Sequence, residues 1–179
     1  MASTLLPFRD YDEHDVLNLF SFSGTLPLTK GHLVHISGSG WQNTSEMEYL
    51  GDVGNNFANT VSERYGVPAH VALSTTSDHA PLGMTLYDVK ETDENGEKLI
   101  FNPRKAAEME VALSGQAVPV LTRGIVLYSG GNLGSATVGA DLYHDVNGEL
   151  TTASALGTKI GKALGGPDTS GCVLVRINL

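Results

Sequence analysis

Charged side chains are scarce in this chain. They make up 17% of its 179 residues, against roughly 25% in an average globular protein. Cysteine is nearly absent: Cys172 stands alone, so no disulfide can form within the chain. Its setting, Cys172-Val173-Leu174-Val175, reads as a small buried hydrophobe, and cysteine scarcity fits assembly in a reducing cytoplasm. No run approaches the ~18 apolar residues of a membrane span. The first ten residues lack the basic start and apolar stretch of a secretory signal. Positive charge is in deficit as well, with 11 Lys and Arg against 20 Asp and Glu and a net charge of −9. That balance repels a phosphate backbone and anionic lipid, so neither nucleic acid nor membrane is an expected partner. It would steer the protein towards a basic patch on a partner.

What the chain does have is glycine, 21 residues of it. Many glycines with few charges favour short strands joined by tight turns. Strand-like stretches recur from Lys30 onward. Gly31–Ile36 is one, bounded by Gly38-Ser39-Gly40. Val67, Ala69, Val71 and Leu73 alternate, as do Leu82, Met84 and Leu86. Asn95-Gly96 and Asn147-Gly148 are hairpin signals, because both residue types tolerate the positive φ that a tight turn requires. The first lies between Leu86-Tyr87 and Leu99-Ile100-Phe101, the second between Asp141–His144 and Leu150–Thr152. Val118–Leu121, Gly124–Tyr128 and Gly171–Leu179 complete the set. Residues 104–113 read equally as a short helix or an extended segment, and 41–65 as a long loop with a helical turn. Gly157 to Gly161 reads as turn chemistry beside a short helix. The fold class expected is mainly β, a compact small barrel or sandwich of short strands with an extended N-terminal arm and little helix.

Motifs that carry chemistry do not assemble. His32 and His35 lie three apart, a ligand spacing on a helix, but residues three apart on a strand face opposite sides. Asp78-His79 sits in a polar turn without a Gly-x-Ser-x-Gly elbow. Gly161-Lys162 is followed by Ala163, which breaks a phosphate-binding loop. Asp93–Glu97 has the look of half a calcium loop but lacks its twelve-residue ligand pattern. The expectation is therefore a non-enzymatic protein with no catalytic residue, no metal and no cofactor.

The N-terminal stretch is the candidate for binding. Val16-Leu17-Asn18-Leu19-Phe20-Ser21-Phe22 is strongly apolar between polar flanks. It is either a strand of the domain or an arm segment that buries itself on a partner. The organisation adopted is an arm over 1–29 and a β-rich domain over 30–179. The candidate interface residues, towards a partner or another subunit, are Val16, Leu17, Leu19, Phe20, Phe22 and Trp41, and Trp41 with Tyr128 could stack on a sugar ring.

Four segments carry a resemblance: Phe8–Phe20 with Lys30-Gly31; Leu82–Val89 with Asp93–Glu97; Ser114–Gly124; and Ile160–Leu164 with Gly171–Val175. Together they cover most of the chain, and in overall texture the sequence resembles the capsid decoration (cement) proteins of tailed bacteriophages. The resemblance implies a compact β fold, often assembled as a homotrimer. Made in the host cytoplasm, such a protein binds the major capsid protein on the outer surface of the virion and stabilises its contacts. The alternatives are another virion component, of tail or fibre, and a small β-fold hydrolase.

Overall fold

A computed structural model of the chain describes residues 5–7, 15–41, 69–131, 133–155 and 157–179. The protein is mainly β, built on two curled six-stranded sheets. The first sheet contains β1 (Leu5–Pro7), β10 (Arg123–Tyr128), β14 (Val173–Asn178), β13 (Lys159–Ala163), β11 (Asp141–His144) and β12 (Leu150–Thr151), in that spatial order. The second runs β2 (Val16–Leu17), β9 (Val120–Leu121), β6 (Pro81–Thr85), β4 (Leu33–Ser37), β5 (His70–Leu73), β3 (Ser21–Phe22). A short parallel pair, β7 (Asp88–Val89) with β8 (Val111–Ala112), stands apart from both. The one α-helix among the described residues, α1 (Pro103–Glu108), starts with proline in its first turn and Asn102 as its cap, the position where a missing N–H costs nothing.

Alternation explains the first core. Val126 and Tyr128 on β10, and Val173, Val175 and Ile177 on β14, point inward with Leu142, Leu150, Ile160 and Ala163. Leu33, Met84 and Leu121 close that core from the second sheet. Their chain neighbours Val34 and Val120 face the other way, into a second core with Phe20, Phe22, Leu28, Val71 and Val118. The second sheet is thus buried on both faces at its centre, which is why Leu33-Val34 and Val120-Leu121 are unbroken apolar pairs.

One turn design is used three times. Asp93, Asp145 and Asp168 each accept two backbone N–H bonds on one carboxylate oxygen, from the residues two and four positions on, at 2.8 and 2.9 Å or 2.8 Å. Gly96, Gly148 and Gly171 follow three positions after, all at positive φ. The supposed half calcium loop is one of these hairpin tips, its Asp93 carboxylate occupied by the turn and by the Lys105 ammonium. That ammonium, together with the two N–H donors, holds the Asp93 carboxyl below its ordinary value.

Three expectations change. Leu99–Phe101 is a 3-10 turn rather than a returning strand. The open question over 104–113 resolves into α1 followed by β8. Gly157–Gly161 leads into the strand β13, not a helix; a bulge had hidden it, as its pairing with β11 slips at Leu142/Tyr143. Most of the loop expected over 41–65 lies outside the described residues.

The segment expected as an arm, 1–29, pairs with the two sheets where it is described. Leu5–Pro7 pairs with Tyr128–Val126, Val16-Leu17 with Leu121-Val120, and Ser21-Phe22 in parallel with His70-Val71. The leading segment supplies an edge strand to one sheet and both edge strands to the other. Edge N–H and C=O groups left bare would invite pairing with other chains, and β1, β2 and β3 cover one side of β10, β9 and β5.

Candidate functional site

The six predicted interface residues separate into two groups. Phe20 and Phe22 are buried in the second core, and Val16 and Leu17 are half-buried in pairing with β9. Phe20 and Phe22 are therefore withdrawn from any surface contact. Leu19 and Trp41 are different, at 46% and 45% exposure. Tyr128 is wholly buried, its hydroxyl accepting from the Leu150 N–H at 3.3 Å, and cannot stack on a sugar. Burial pushes its phenol well above the ordinary range.

Register brings Leu19 and Trp41 to the same end of the second sheet. Ser37 on β4 pairs with His70 on β5, and His70 with Ser21 on β3. Adjacent strands lie about 4.8 Å apart, so Ser37 and Ser21 are separated by about 10 Å. Leu19 is two residues before that row. Trp41 follows it across the turn at Gly38 and Gly40, both at positive φ. Ile36, 45% exposed, sits one residue inside. Phe101, Val138 and Val146 are more exposed still, but they stand on three separate turns. Ile36 was not singled out from sequence; the turn behind it, with two glycines, is the signal that a strand ends there at the surface.

The polar centre that sequence reading missed is a group of histidines from three elements. The rings of His35 on β4 and His79 in the loop after β5 are stacked, with centroids 3.6 Å apart and planes 17° from parallel. The Thr75 N–H donates to His79 Nδ1 at 3.1 Å, which leaves the proton of the neutral ring on Nε2. His144 on β11 is fully buried, and its Nε2 finds no partner among the described residues; the same holds for His35 Nδ1 and Ser74 Oγ. His32 and His35 are not a ligand pair: His32 Nδ1 is satisfied by the Thr29 carbonyl at 2.8 Å. Ser21 Oγ lies 2.8 Å from His70 Nδ1, but Ser21 is buried under the edge of the sheet. Among the described residues no three His, Cys, Asp or Glu side chains are grouped to hold a metal ion.

The stack has a consequence for stability against pH. Burial, and then the neighbouring His79, hold the His35 imidazole below its ordinary value of 6.5, with His144 acting in the same direction. Burial lowers His70 likewise. A lowered folded-state pKa means that the unfolded chain binds more protons just below pH 6.5, so stability is full above that value and is lost as pH falls through it. The carboxylates of Asp93 and Asp141 are lowered from 3.8 and stay charged in this window. The urea midpoint is expected to fall between pH 7.5 and pH 5.5, and to fall less in His35→Asn. An unchanged midpoint in the parent protein would mean that the stack accepts a proton without cost.

No known protein-family model matches this sequence, and no curated protein matches it either.

Proposed function

We propose that this chain is a structural protein of a tailed-phage virion: a capsid decoration protein that binds the outer surface of the assembled head, as a homotrimer, and holds neighbouring major capsid protein subunits together. The sequence resemblance suggests the class. The observation that carries the binding role is the exposure of Leu19, Ile36 and Trp41 near one end of the second sheet. Large apolar side chains exposed at one end of a sheet favour contact with another protein over water, and an exposed tryptophan is a residue type enriched in binding hot spots.

The energetics fit the role. A protein that binds the assembled shell better than free subunits shifts the equilibrium towards the shell. Repetition over a lattice makes modest single contacts strong together. The Asp-closed hairpins and the short edge strands favour a body that presents such a surface without reorganising.

The test is occupancy of expanded capsids, measured by co-sedimentation. Leu19→Asp combined with Trp41→Ala is expected to lower capsid affinity at least tenfold, about 1.4 kcal/mol, while the thermal midpoint stays near that of the parent. Parent protein that remains in the supernatant at every concentration would overturn the capsid reading. Undiminished binding by the double variant would keep the capsid and reject this surface.

A further inference from the structure

The outer face of the first sheet sets two cations directly opposite each other. Lys162 on β13 is the register partner of Arg176 on β14, and the same row continues to Asp141 on one side and Ile125 on the other. Like charges opposed across a strand pair are destabilising, and little here relieves them. One oxygen of Asp141 serves both Lys159 and Lys162, at 2.9 and 3.3 Å. The two lysines hold its carboxyl below the ordinary range. Arg176 makes no ion pair among the described residues. Elsewhere Lys30, Lys90, Arg104, Lys105 and Arg123 each have a carboxylate, and of the other described cations Lys98, on a turn, has none. A chain of net charge −9 thus gathers Lys159, Lys162 and Arg176 around one groove of about 310 Å³, its guanidinium without a counter-charge among the described residues.

The next row on the same face is apolar. Leu127 pairs with Leu174, and the Leu164 N–H donates to the Leu174 carbonyl at 2.8 Å. Leu164 is exposed and lines the groove, while Leu174 and Leu127 are half-buried. Charge and apolar surface therefore lie side by side, across strands whose backbones are already paired.

We propose that this groove docks a carboxylate-bearing segment of a protein partner, in which an acidic residue stands beside an apolar one. A guanidinium offers a planar fork that a carboxylate fills with two parallel hydrogen bonds, and the leucine row receives the neighbouring apolar side chain. Nucleic acid fits poorly, because its charges continue about every 1.7 Å along the duplex while the cationic row here is short and the chain as a whole is acidic. A free phosphate would leave the leucines uncovered. The Lys162–Arg176 opposition, offset only on the Lys162 side by Asp141, is a local conflict of the kind that marks a functional surface. This assignment stands independently of the capsid reading.

Full-length protein is titrated with a short synthetic peptide that alternates glutamate and leucine, and backbone amide signals are followed by NMR. Shifts are expected at Gly161–Leu164 and Leu174–Asn178. The variant Lys162→Met with Arg176→Met keeps the apolar stems and removes the charges; it should bind at least tenfold more weakly. A peptide with glutamine in place of glutamate should bind as poorly. In the free protein, Arg176→Met should raise the thermal midpoint. Equal peptide affinity in the double variant, shifts confined to other residues, or a lowered midpoint in Arg176→Met would overturn the proposal. So would a DNA duplex or inorganic phosphate that binds the same residues as tightly as the peptide, since charge alone would then account for the groove.

Discussion

Truncating Phe22 to alanine is expected to cost about 3–5 kcal/mol, a large fraction of the 5–15 kcal/mol that holds a typical domain together. The ring is 7% exposed and packs in the second core with Phe20, Val34, Val71 and Val118. The chain folds back over it: a side chain at Gly24 would lie 2.7 Å from Phe22 Cζ, so the turn after β3 closes on the ring. Its backbone is fixed as well, since Ser21 and Ser23 donate to Ala69 and Val71 carbonyls at 2.9 and 2.8 Å. Removing residues 1–22 altogether should then give a chain that does not fold, having lost β1, β2, β3 and two core phenylalanines. Urea unfolding of Phe22→Ala checks the expectation. A loss below about 1 kcal/mol with capsid binding abolished would reverse it and restore the segment as an arm that orders on a partner.

That segment shows where the sequence is legible and where it is not. Its apolar density is plain from Val16 to Phe22, but β2 and β3 have two residues each, too few for alternation to reveal which side is inward. Its partners, Leu121-Val120 and His70-Val71, are remote in the chain, and nothing local announces such pairings. The turns at Asn95-Gly96 and Asn147-Gly148 were readable because turn chemistry is local, though only the second joins two strands. The aspartate two residues before each asparagine was the further signal, and it recurs at Asp168 with serine in the asparagine position. β14 was readable because Val173, Val175 and Ile177 alternate without interruption. β13 was not, because Ile160 and Gly161 are buried in succession and period two fails. Of the candidate surface, Leu19 and Trp41 were named but Ile36 was not. The stack of His35 on His79, like the opposition of Lys162 to Arg176, exists only once register is known.

The failure of period two at Ile160-Gly161 also locates the position least tolerant of change. Replacing Gly161 by alanine is expected to disrupt the centre of the first sheet, at a cost of about 3 kcal/mol or more. An added Cβ would stand 1.9 Å from the Arg176 carbonyl oxygen and 2.9 Å from its carbon, so backbone, not a mobile side chain, must move. The reason for the close approach lies in the register. Leu142 pairs with Gly161 and Tyr143 with Lys159, so Ile160 is an extra residue, and the strand bulges. A bulge adds twist and bends the strand, which the sheet needs in order to curl over Tyr128, Leu142 and Ile177. The second sheet repeats the device: Val34 pairs with Gly83 and His35 with Pro81, leaving Leu82 extra, and a Cβ at Gly83 would lie 2.4 Å from the Leu121 carbonyl oxygen. Two sheets curled by the same combination of an extra apolar residue followed by glycine should fail in the same way. Gly161→Ala and Gly83→Ala should each lower the thermal midpoint far more than Gly134→Ala, where an added Cβ meets nothing within 4 Å. Thermal unfolding followed by circular dichroism compares the three. If Gly161→Ala melts within a degree or two of Gly134→Ala, β13 can move away from β14 without penalty, and the bulge is not what sets the curvature of the sheet.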